Sequence, residues 1–289
     1  MKSEYRRPDP VIYAERVLDG LPYQDLESNI WIFLEEVTGK KKFDLINLFQ
    51  NENFCLSQQE FNLFKKMLER RKNHEPVAYI IGKNNFYGYE FKTGPGVLIP
   101  RFETELLVER VGKICDNKKI LDLCSGSGCI GITLVKEFHP ESVCCTDISE
   151  TALNFTKLNA ESILNSNEQR KLSIVKSDMF ENLKEKFDIM VSNPPYIEKK
   201  DVLTLESTVK DFEPVNALDG GEDGLDFYRI IQKKLPEFLN KNGNLFLEIG
   251  YNQGESVFNL FKESFEKAQI IKDYSNFDRI FEGINFKNI

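Results

Sequence analysis

The spacing of apolar residues divides the chain into a helical part and a part in which strands and helices alternate. Between Leu26 and Val37 apolar residues recur every three or four positions, the spacing of one helix face, and Gly39 follows as a stop signal. Ser57 and Glu60 lie three residues apart, and this capping-box pattern marks the start of a further helix. The sequence predicts a small helical domain over residues 1–75.

Residues 76–100 differ because β-rich segments replace the helical spacing. Residues 86–91 and 97–99 are rich in aromatic and aliphatic side chains, and the segment 92–96, with its glycines and proline, separates them. We therefore predict a β-hairpin made of these two segments. It would bridge the helical domain and the domain that follows.

From residue 101 to residue 289 apolar segments of strand length alternate with helical patterns. Such alternation is typical of an α/β fold, in which helices cover a mostly parallel sheet. The predicted internal strands are residues 120–123, 143–146, 173–175, 188–191 and 244–249. Two short β segments, near Ile270 and Arg279, would close the sheet as a terminal antiparallel hairpin.

Composition and charge narrow the class of protein. Of the 289 residues 41% are hydrophobic, enough for a packed core. Lysine and arginine number 38 against 46 aspartate and glutamate, and the net charge of −8 disfavours a protein that grips nucleic acid through its phosphates. The sequence has no apolar run of about eighteen residues and no signal-peptide core near Met1. We expect a cytoplasmic protein that does not enter a membrane.

Cysteine and histidine usage shows no metal or disulfide pattern. The 6 cysteines include no CxxC pair, and the 2 histidines are His74 and His139. We expect buried, reduced thiols and no metal site.

The first candidate site is a glycine-rich turn within residues 121–131, where an apolar strand runs into a helix. Gly126 and Gly128 lack Cβ atoms, so the backbone can approach a ligand closely, and the helix N-terminus supplies free N–H groups. Asp147 ends the next strand, where a carboxylate can accept hydrogen bonds from both hydroxyls of a ribose. With Gly131 the turn also fits the dinucleotide pattern GxGxxG. The turn alone leaves open whether NAD, S-adenosylmethionine or no cofactor binds.

The second candidate site, Asn193-Pro194-Pro195-Tyr196, follows the predicted strand 188–191. Proline removes N–H donors, so carbonyl groups of this loop have no local partner. The side-chain oxygen of Asn193 and the carbonyl of Pro194 can both accept hydrogen bonds from one planar NH₂ group, and Tyr196 can lie over it. The segment is therefore a candidate receptor for an amide or an aromatic amine, with an ordinary loop breaker as the plainer alternative.

An amide nitrogen needs help to react because its lone pair is shared with the carbonyl group. Two acceptors that twist the NH₂ group can direct its lone pair at an electrophile, which is catalysis by positioning and electrostatics. A sulfonium methyl group fits this chemistry, since its transfer requires neither a metal nor a histidine base.

At these residues the sequence resembles the PrmC/HemK family, the protein-(glutamine-N5) methyltransferases of class-1 peptide chain release factors. The tetrapeptide starting at Asn193 is shared with amino-methylating DNA enzymes, but residues 98–105 resemble the family's IPRPETE signature. Residues 75–82, 212–229 and 248–254 resemble three further family segments. The resemblance covers nearly the whole chain.

The resemblance implies a Rossmann-like S-adenosylmethionine-dependent methyltransferase domain over residues 101–289, with S-adenosylhomocysteine as the product. Cys124, Phe102 and Met179 depart from the family pattern, which usually has Gly, Pro and an aromatic residue there. A thioether can still cover an adenine face, and we assign no nucleophilic role to Cys124. The implied cofactor contacts are Cys124, Ser125, Gly126, Ser127, Gly128, Asp147, Asp178, Met179 and Asn193.

The resemblance also implies a protein substrate, the glutamine of a Gly-Gly-Gln tripeptide in a release factor. Asn193, Pro194 and Tyr196 would be the catalytic residues, and the helical domain and hairpin would grip the rest of the release factor. Arg101, Glu103 and Thr104 would order the pocket, with a structural salt link as the alternative. The implied substrate contacts are Asn193, Pro194, Pro195, Tyr196, Arg101 and Glu103.

Three other functions stay open from the residues alone. DNA adenine-N6 methylation would use the same amine receptor, but the net charge of −8 and the lack of a basic recognition segment disfavour it. A catalytically silent binding protein with this fold would show damage at Asn193, Asp147 or the glycine turn, and the sequence shows none. NAD-linked hydride transfer is the weakest alternative. We expect a monomer that acts on release factors, without DNA or membrane partners.

Overall fold

The fold has two units, Met1–Gly82 and Lys83–Ile289, each with its own apolar core. The computed structural model describes residues 9–23, 25–49 and 55–288. Residues 76–82 belong to the first unit, together with the helices. The β-hairpin belongs to the second unit.

The first unit consists of helices, as the sequence predicts. Gly39 ends the second helix in the left-handed region at φ 68°. The hydroxyl of Ser57 accepts a hydrogen bond from the Glu60 N–H at 3.2 Å, and the Glu60 carboxylate accepts one from the Ser57 N–H at 2.6 Å, so the predicted capping box is confirmed. The helices are α1 (Pro10–Leu18), α2 (Leu26–Thr38), α3 (Lys42–Phe49), α4 (Gln58–Lys72) and α5 (Val77–Ile81).

The β-hairpin forms at a different place from the predicted one. Strands β1 (Lys83–Phe86) and β2 (Tyr89–Lys92) pair antiparallel, so the prediction that residues 86–91 pair with residues 97–99 is wrong. Tyr87 and Gly88 form the connection with φ values of 51° and 79°, and a two-residue turn with both φ positive suits the twist of a hairpin. Residues 97–99 form no strand and instead line the pocket described below.

The second unit alternates helices and strands along the rest of the chain. Its helices are α6 (Glu103–Gly112), α7 (Cys129–Glu137), α8 (Glu150–Ile163), α9 (Ser166–Gln169), α10 (Lys199–Val202), α11 (Ser207–Lys210), α12 (Asp226–Phe238) and α13 (Gly254–Phe261). Its strands after the hairpin are β3 (Lys119–Leu123), β4 (Ser142–Asp147), β5 (Leu172–Lys176), β6 (Phe187–Ser192), β7 (Leu239–Glu248), β8 (Phe265–Lys272) and β9 (Asp278–Phe286).

In the described part of the chain these strands form a seven-stranded sheet in the order β5-β4-β3-β6-β7-β9-β8. The first five strands of this order run parallel, and β9 pairs antiparallel with both β7 and β8. The predicted fold is confirmed, including the terminal antiparallel hairpin. The core strands are buried on both faces, as expected for a sheet that helices cover on both sides.

The strand order fixes where a ligand can bind. The chain moves outward from β3 to β5 on one side and from β6 to β7 on the other, so the order reverses between β3 and β6. Leu123 and Ser192, the last residues of these two strands, are direct partners in the sheet. Ligands of open α/β sheets bind at such a switch point. The two predicted sites, after β3 and after β6, therefore lie side by side.

Two expectations from composition can be compared with the structure. In the ranges that the structure describes, none of the helices combines the length and the apolar character needed to cross a bilayer. All six cysteines are free thiols, and Cys115, Cys129, Cys144 and Cys145 are buried as expected. Cys55 is exposed and Cys124 is partly exposed, so the prediction of a buried thiol is wrong at these two positions.

Candidate active site

The glycine-rich turn after β3 is held by Asp147 at the end of β4. The Asp147 carboxylate accepts hydrogen bonds from the Gly126 N–H at 2.9 Å and from the Ser149 N–H at 2.8 Å. Burial raises the pKa of Asp147 above its ordinary value. The acidic residue that the sequence placed at the cofactor therefore also fixes the shape of the turn.

Gly126 and Gly128 suit the turn for different structural reasons. Gly128 lies at φ 79°, and a Cβ there would come within 2.7 Å of the Thr156 side chain, so its smallness serves the packing of α8. Gly126 lies at φ 56°, and among the described residues its nearest neighbour for a Cβ is Val97, at 4.0 Å. Its open side allows a ligand to approach the backbone.

Cys124 stands where the backbone also turns left-handed, at φ 59°. A residue with a Cβ pays about 1–2 kcal/mol for that conformation, so the chain tolerates the cysteine at a cost. Burial raises the pKa of the Cys124 thiol far above its ordinary value, which favours the protonated thiol over the nucleophilic thiolate. Its sulfur lies 3.9 Å from the Met179 sulfur, and Met179 itself adopts φ 45°.

A pocket opens between the turn after β3 and the loop after β6. Of the predicted site residues, Arg101, Cys124, Ser125, Gly126, Ser127, Asp147, Asp178, Met179, Asn193 and Pro195 line it. Gly128, Pro194, Tyr196 and Glu103 do not. Gly128 is buried at the start of α7, and Glu103 is exposed in the first turn of α6. The pocket thus joins the turn after β3 to Asn193 and Pro195 of the second predicted site.

The pocket contains Ile148, which the sequence did not single out, beside Ser125, which was predicted as a cofactor contact. Ile148 follows Asp147, is 51% exposed and adds an apolar surface to the pocket. The Ser125 hydroxyl is buried and has no hydrogen-bond partner among the described residues. A buried polar group without a partner costs free energy unless a ligand satisfies it. Both features fit a ligand with an apolar face and polar groups.

The loop that starts at Asn193 is held by the segment before α12 and by Gln253 at the start of α13. A Cβ on Gly220 would lie 2.7 Å from the Cα of Tyr196, so this close approach requires glycine. The side chain of Gln253 donates hydrogen bonds to the carbonyls of Tyr196, at 2.9 Å, and Gly224, at 3.2 Å. These contacts hold the backbone of the loop without covering the pocket side of Asn193.

Thr104 connects Asn193 to Glu248 at the end of β7, and Tyr196 contacts the same carboxylate. The Asn193 Nδ2 donates to the Thr104 hydroxyl at 3.2 Å, and Thr104 donates to Glu248 Oε2 at 2.6 Å. The Tyr196 hydroxyl donates to Glu248 Oε1 at 3.4 Å. The sequence did not predict Glu248 as a site residue, because it lies 144 positions from Thr104 and no local pattern joins them.

Arg101 and Glu213 form an ion pair beside the pocket. The Arg101 Nη2 lies 2.5 Å from Glu213 Oε1, and Glu213 Oε2 accepts a hydrogen bond from the Ile99 N–H at 3.1 Å. The Glu213 side chain is 1% exposed, whereas that of Arg101 is 33% exposed. The pair anchors residues 99–101, which line the pocket. A structural salt link was the predicted alternative to a role of Arg101 in ordering the pocket, and the ion pair with Glu213 is such a link.

Asp122 lies buried in β3 directly below the turn. Its Oδ2 accepts a hydrogen bond from the Gly131 N–H at 2.9 Å, and its Oδ1 has no partner among the described residues. Burial raises the pKa of Asp122 from 3.8 to about 7, and nearby Asp147 adds to the increase. The folded chain therefore holds this proton more tightly than the unfolded chain.

We predict that the Asp122→Asn variant removes a pH dependence of stability. The raised pKa means that the wild type loses stability as pH rises from about 4 to about 7, by an amount on the order of 4 kcal/mol. Urea unfolding at pH 5 and pH 8 measures the part of this loss that occurs above pH 5, about 3 kcal/mol. From pH 5 to pH 8, the free energy of unfolding of Asp122→Asn should increase relative to that of the wild type. A constant difference would contradict the raised pKa.

Comparisons with known proteins first define the class. The family described as Methyltransferase small domain matches residues 90–212, and the PrmC N-terminal domain matches residues 11–82. A methyltransferase structure from Pyrococcus furiosus shares the fold, with a TM-score of 0.52 at 17% identity, covering 78% of this chain and 100% of that one. The sheet, the glycine turn and these matches define a methyltransferase.

Two relatives then define the family. A release factor glutamine methyltransferase of Clostridium botulinum is 40% identical over 84% of this chain and 87% of its own length. One of Clostridium acetobutylicum is 37% identical over 94% of this chain and 96% of its own length. The chain belongs to the release factor glutamine methyltransferase family, which confirms the resemblance noted from its motifs.

Proposed function

We propose that this chain transfers a methyl group from S-adenosylmethionine to the side-chain amide nitrogen of the glutamine in the Gly-Gly-Gln motif of class-1 release factors. Membership of the family supports this substrate. The observation that carries the chemistry is the hydrogen bond from Asn193 Nδ2 to Thr104. Because the nitrogen end of the amide faces Thr104, the amide oxygen of Asn193 points away from Thr104 and can accept a hydrogen bond from the substrate. We place the reaction in the cytoplasm.

The cofactor site is proposed from the fit of the pocket residues. S-adenosylmethionine, when bound, supplies an electrophilic methyl group on a sulfonium ion. Asp147 would accept hydrogen bonds from the ribose hydroxyls, and the open backbone at Gly126 and the partnerless Ser125 hydroxyl would face polar groups of the cofactor. Ile148 and Met179 would cover the adenine with apolar surface.

The remaining predicted cofactor residues fit this site to different degrees. Cys124, Ser127 and Asp178 line the pocket, so we propose that they contact the cofactor. Gly128 is buried at the start of α7, and we propose that it acts through packing rather than through contact.

At the substrate end, this chain needs to bind and orient an amide. We propose that the Asn193 oxygen and the Pro194 carbonyl accept hydrogen bonds from the two N–H groups of the glutamine, while Tyr196 and Pro195 shape the surface beside it. Two fixed acceptors hold the NH₂ group against its resonance with the carbonyl and direct the nitrogen at the methyl group. Burial raises the pKa of the Tyr196 hydroxyl well above its ordinary value, so it remains a neutral donor.

Recognition of the rest of the release factor is proposed for the remaining parts of the chain. We propose that the helical domain, residues 1–75, and the hairpin within residues 76–100 bind the release factor, and that residues 101–289 carry the reaction. Arg101, held by Glu213, would order the pocket wall. Glu103 is exposed in α6 and would contact the incoming loop.

Radiolabelled S-adenosylmethionine offered with three acceptors tests this proposal. We expect incorporation into a class-1 release factor, a loss of at least about 100-fold when its motif glutamine is alanine, and no incorporation into DNA. The reduction is large because the alanine lacks the nucleophile altogether. Incorporation that persists in the alanine variant contradicts the glutamine as acceptor. Incorporation into DNA alone would instead favour adenine-N6 methylation.

A further inference from the structure

Glu248, at the end of β7, is a carboxylate that the described side chains surround almost completely. It is 1% exposed, yet each of its oxygens reaches a different part of the active site. Oε2 lies 2.6 Å from the Thr104 hydroxyl on α6, and Oε1 lies 3.4 Å from the Tyr196 hydroxyl after β6. The Tyr228 hydroxyl donates to the Glu248 backbone carbonyl at 2.9 Å, which fixes the base of the residue.

The direction of these hydrogen bonds follows from the charge of the carboxylate. An ionised carboxylate accepts only, so the hydroxyl hydrogen of Thr104 points to Glu248. Thr104 then has only lone pairs for Asn193, and the Asn193 amide must turn its Nδ2 toward Thr104. An Asn193 amide flipped by 180° would place its oxygen against an oxygen that has no hydrogen to offer.

We propose that Glu248 is a positioning residue that, through Thr104, sets which end of the Asn193 amide faces the substrate. This inference rests on the proposed function, since it gives a reason why the acceptor oxygen of Asn193 faces the glutamine. The same carboxylate orients the Tyr196 hydroxyl from its other oxygen. One buried carboxylate thus orients the side chains of both Asn193 and Tyr196.

Protonation of Glu248 removes this selection. A protonated carboxyl can donate to Thr104, which frees the Thr104 hydrogen for the Asn193 oxygen and makes the flipped amide equally satisfied. Burial raises the pKa of Glu248 to about 6, and hydrogen bonds from Thr104 and Tyr196 oppose the increase. The titratable and charged groups that face Glu248 are Glu103, Cys129, Tyr196, Tyr228 and Arg279.

The first test replaces Thr104 with valine, which keeps the shape and removes the hydroxyl, and with serine, which keeps the hydroxyl. We expect Thr104→Val to lower kcat for methylation of the release factor about 100-fold, with the Kd for S-adenosylmethionine changed less than about threefold. Thr104→Ser should recover kcat to within about tenfold of the wild type. A Thr104→Val kcat equal to that of the wild type overturns the proposal, and so does an equal loss in both variants when both remain folded by circular dichroism.

The second test is the pH profile of kcat at saturating cofactor. The wild-type kcat should decrease below about pH 6, toward the value of Glu248→Gln, whose kcat should be flat from pH 5 to pH 8 because an amide offers both hydrogen-bond directions at every pH. Asp122→Asn is the control for this profile, because Asp122 titrates in the same pH range. Its kcat should still decrease below about pH 6. A decrease that Glu248→Gln retains overturns the assignment to Glu248.

These results are separable from a failure of the proposed function. If the wild type methylates no release factor, the proposed substrate is wrong, and the positioning role is overturned with it because it rests on that substrate. If the wild type methylates it and the Thr104 and Glu248 variants behave like the wild type, the positioning role alone is wrong.

Discussion

Replacing Asn193 with alanine should lower kcat for release factor methylation about 1,000-fold. The side chain lines the pocket, and its Nδ2 donates to Thr104, so the substitution removes the fixed acceptor that we propose for the substrate amide. A preorganised group of this kind acts mainly on the transition state, because the amide must leave its planar ground state to react. The Kd for S-adenosylmethionine should change by less than about tenfold.

Asn167→Ala is the matched control for this variant. Asn167 is an exposed asparagine in α9 and lies outside the pocket, so its loss should leave kcat unchanged. Single-turnover kinetics with the release factor and saturating cofactor compare the three proteins. An Asn193→Ala rate within about threefold of the wild type would contradict the role of Asn193 in binding the reacting amide.

Replacing Asp147 with alanine should raise the Kd for S-adenosylmethionine about 100-fold. The carboxylate holds the Gly126 and Ser149 N–H groups at 2.9 and 2.8 Å, and we propose that it also accepts hydrogen bonds from two ribose hydroxyls. Hydrogen bonds to charged groups contribute about 1.5–3 kcal/mol each, and about 1.4 kcal/mol is tenfold in affinity. Asp147→Asn keeps one acceptor oxygen and should lie between alanine and the wild type.

Isothermal titration calorimetry with S-adenosylmethionine, S-adenosylhomocysteine and NAD measures this effect. Glu150→Ala is the control, because Glu150 is an exposed carboxylate three residues away that pairs with Lys176 outside the pocket. Its Kd should equal that of the wild type. Unchanged affinity in Asp147→Ala would contradict the ribose contact, and tighter binding of NAD than of S-adenosylmethionine would contradict the cofactor assignment.

The parts of the site that the sequence predicted depend on local patterns. The turn at Gly126 and Gly128, the position of Asp147 and the loop at Asn193 each follow directly from a strand end, so the spacing of strands along the chain located them. The switch point then brought them together, as parallel strands require. Cys124 adopts a left-handed backbone conformation despite its side chain, as expected for a residue that stands where the family usually has glycine.

The parts that the sequence missed depend on contacts between distant residues. Thr104 meets Glu248 across 144 positions and Asn193 across 89 positions, and no periodicity encodes either distance. The predicted hairpin was wrong for a different reason. The Tyr87-Gly88 turn lacks the usual Asn-Gly or Asp-Gly signal, so the sequence indicated a turn in the glycine-rich segment after β2 instead. Phe102 is 68% exposed and does not line the pocket, and nothing in the structure explains its presence there.

The most direct measurement locates the transferred methyl group. The wild-type enzyme is incubated with S-adenosylmethionine and an unmethylated class-1 release factor, and the digested release factor is then sequenced by tandem mass spectrometry. We predict a single methyl group on the side-chain amide of the motif glutamine, formed about 1,000-fold more slowly when Asn193→Ala replaces the wild type. A methyl group on any other residue, or an unmodified release factor with active enzyme, would contradict a glutamine amide as the acceptor.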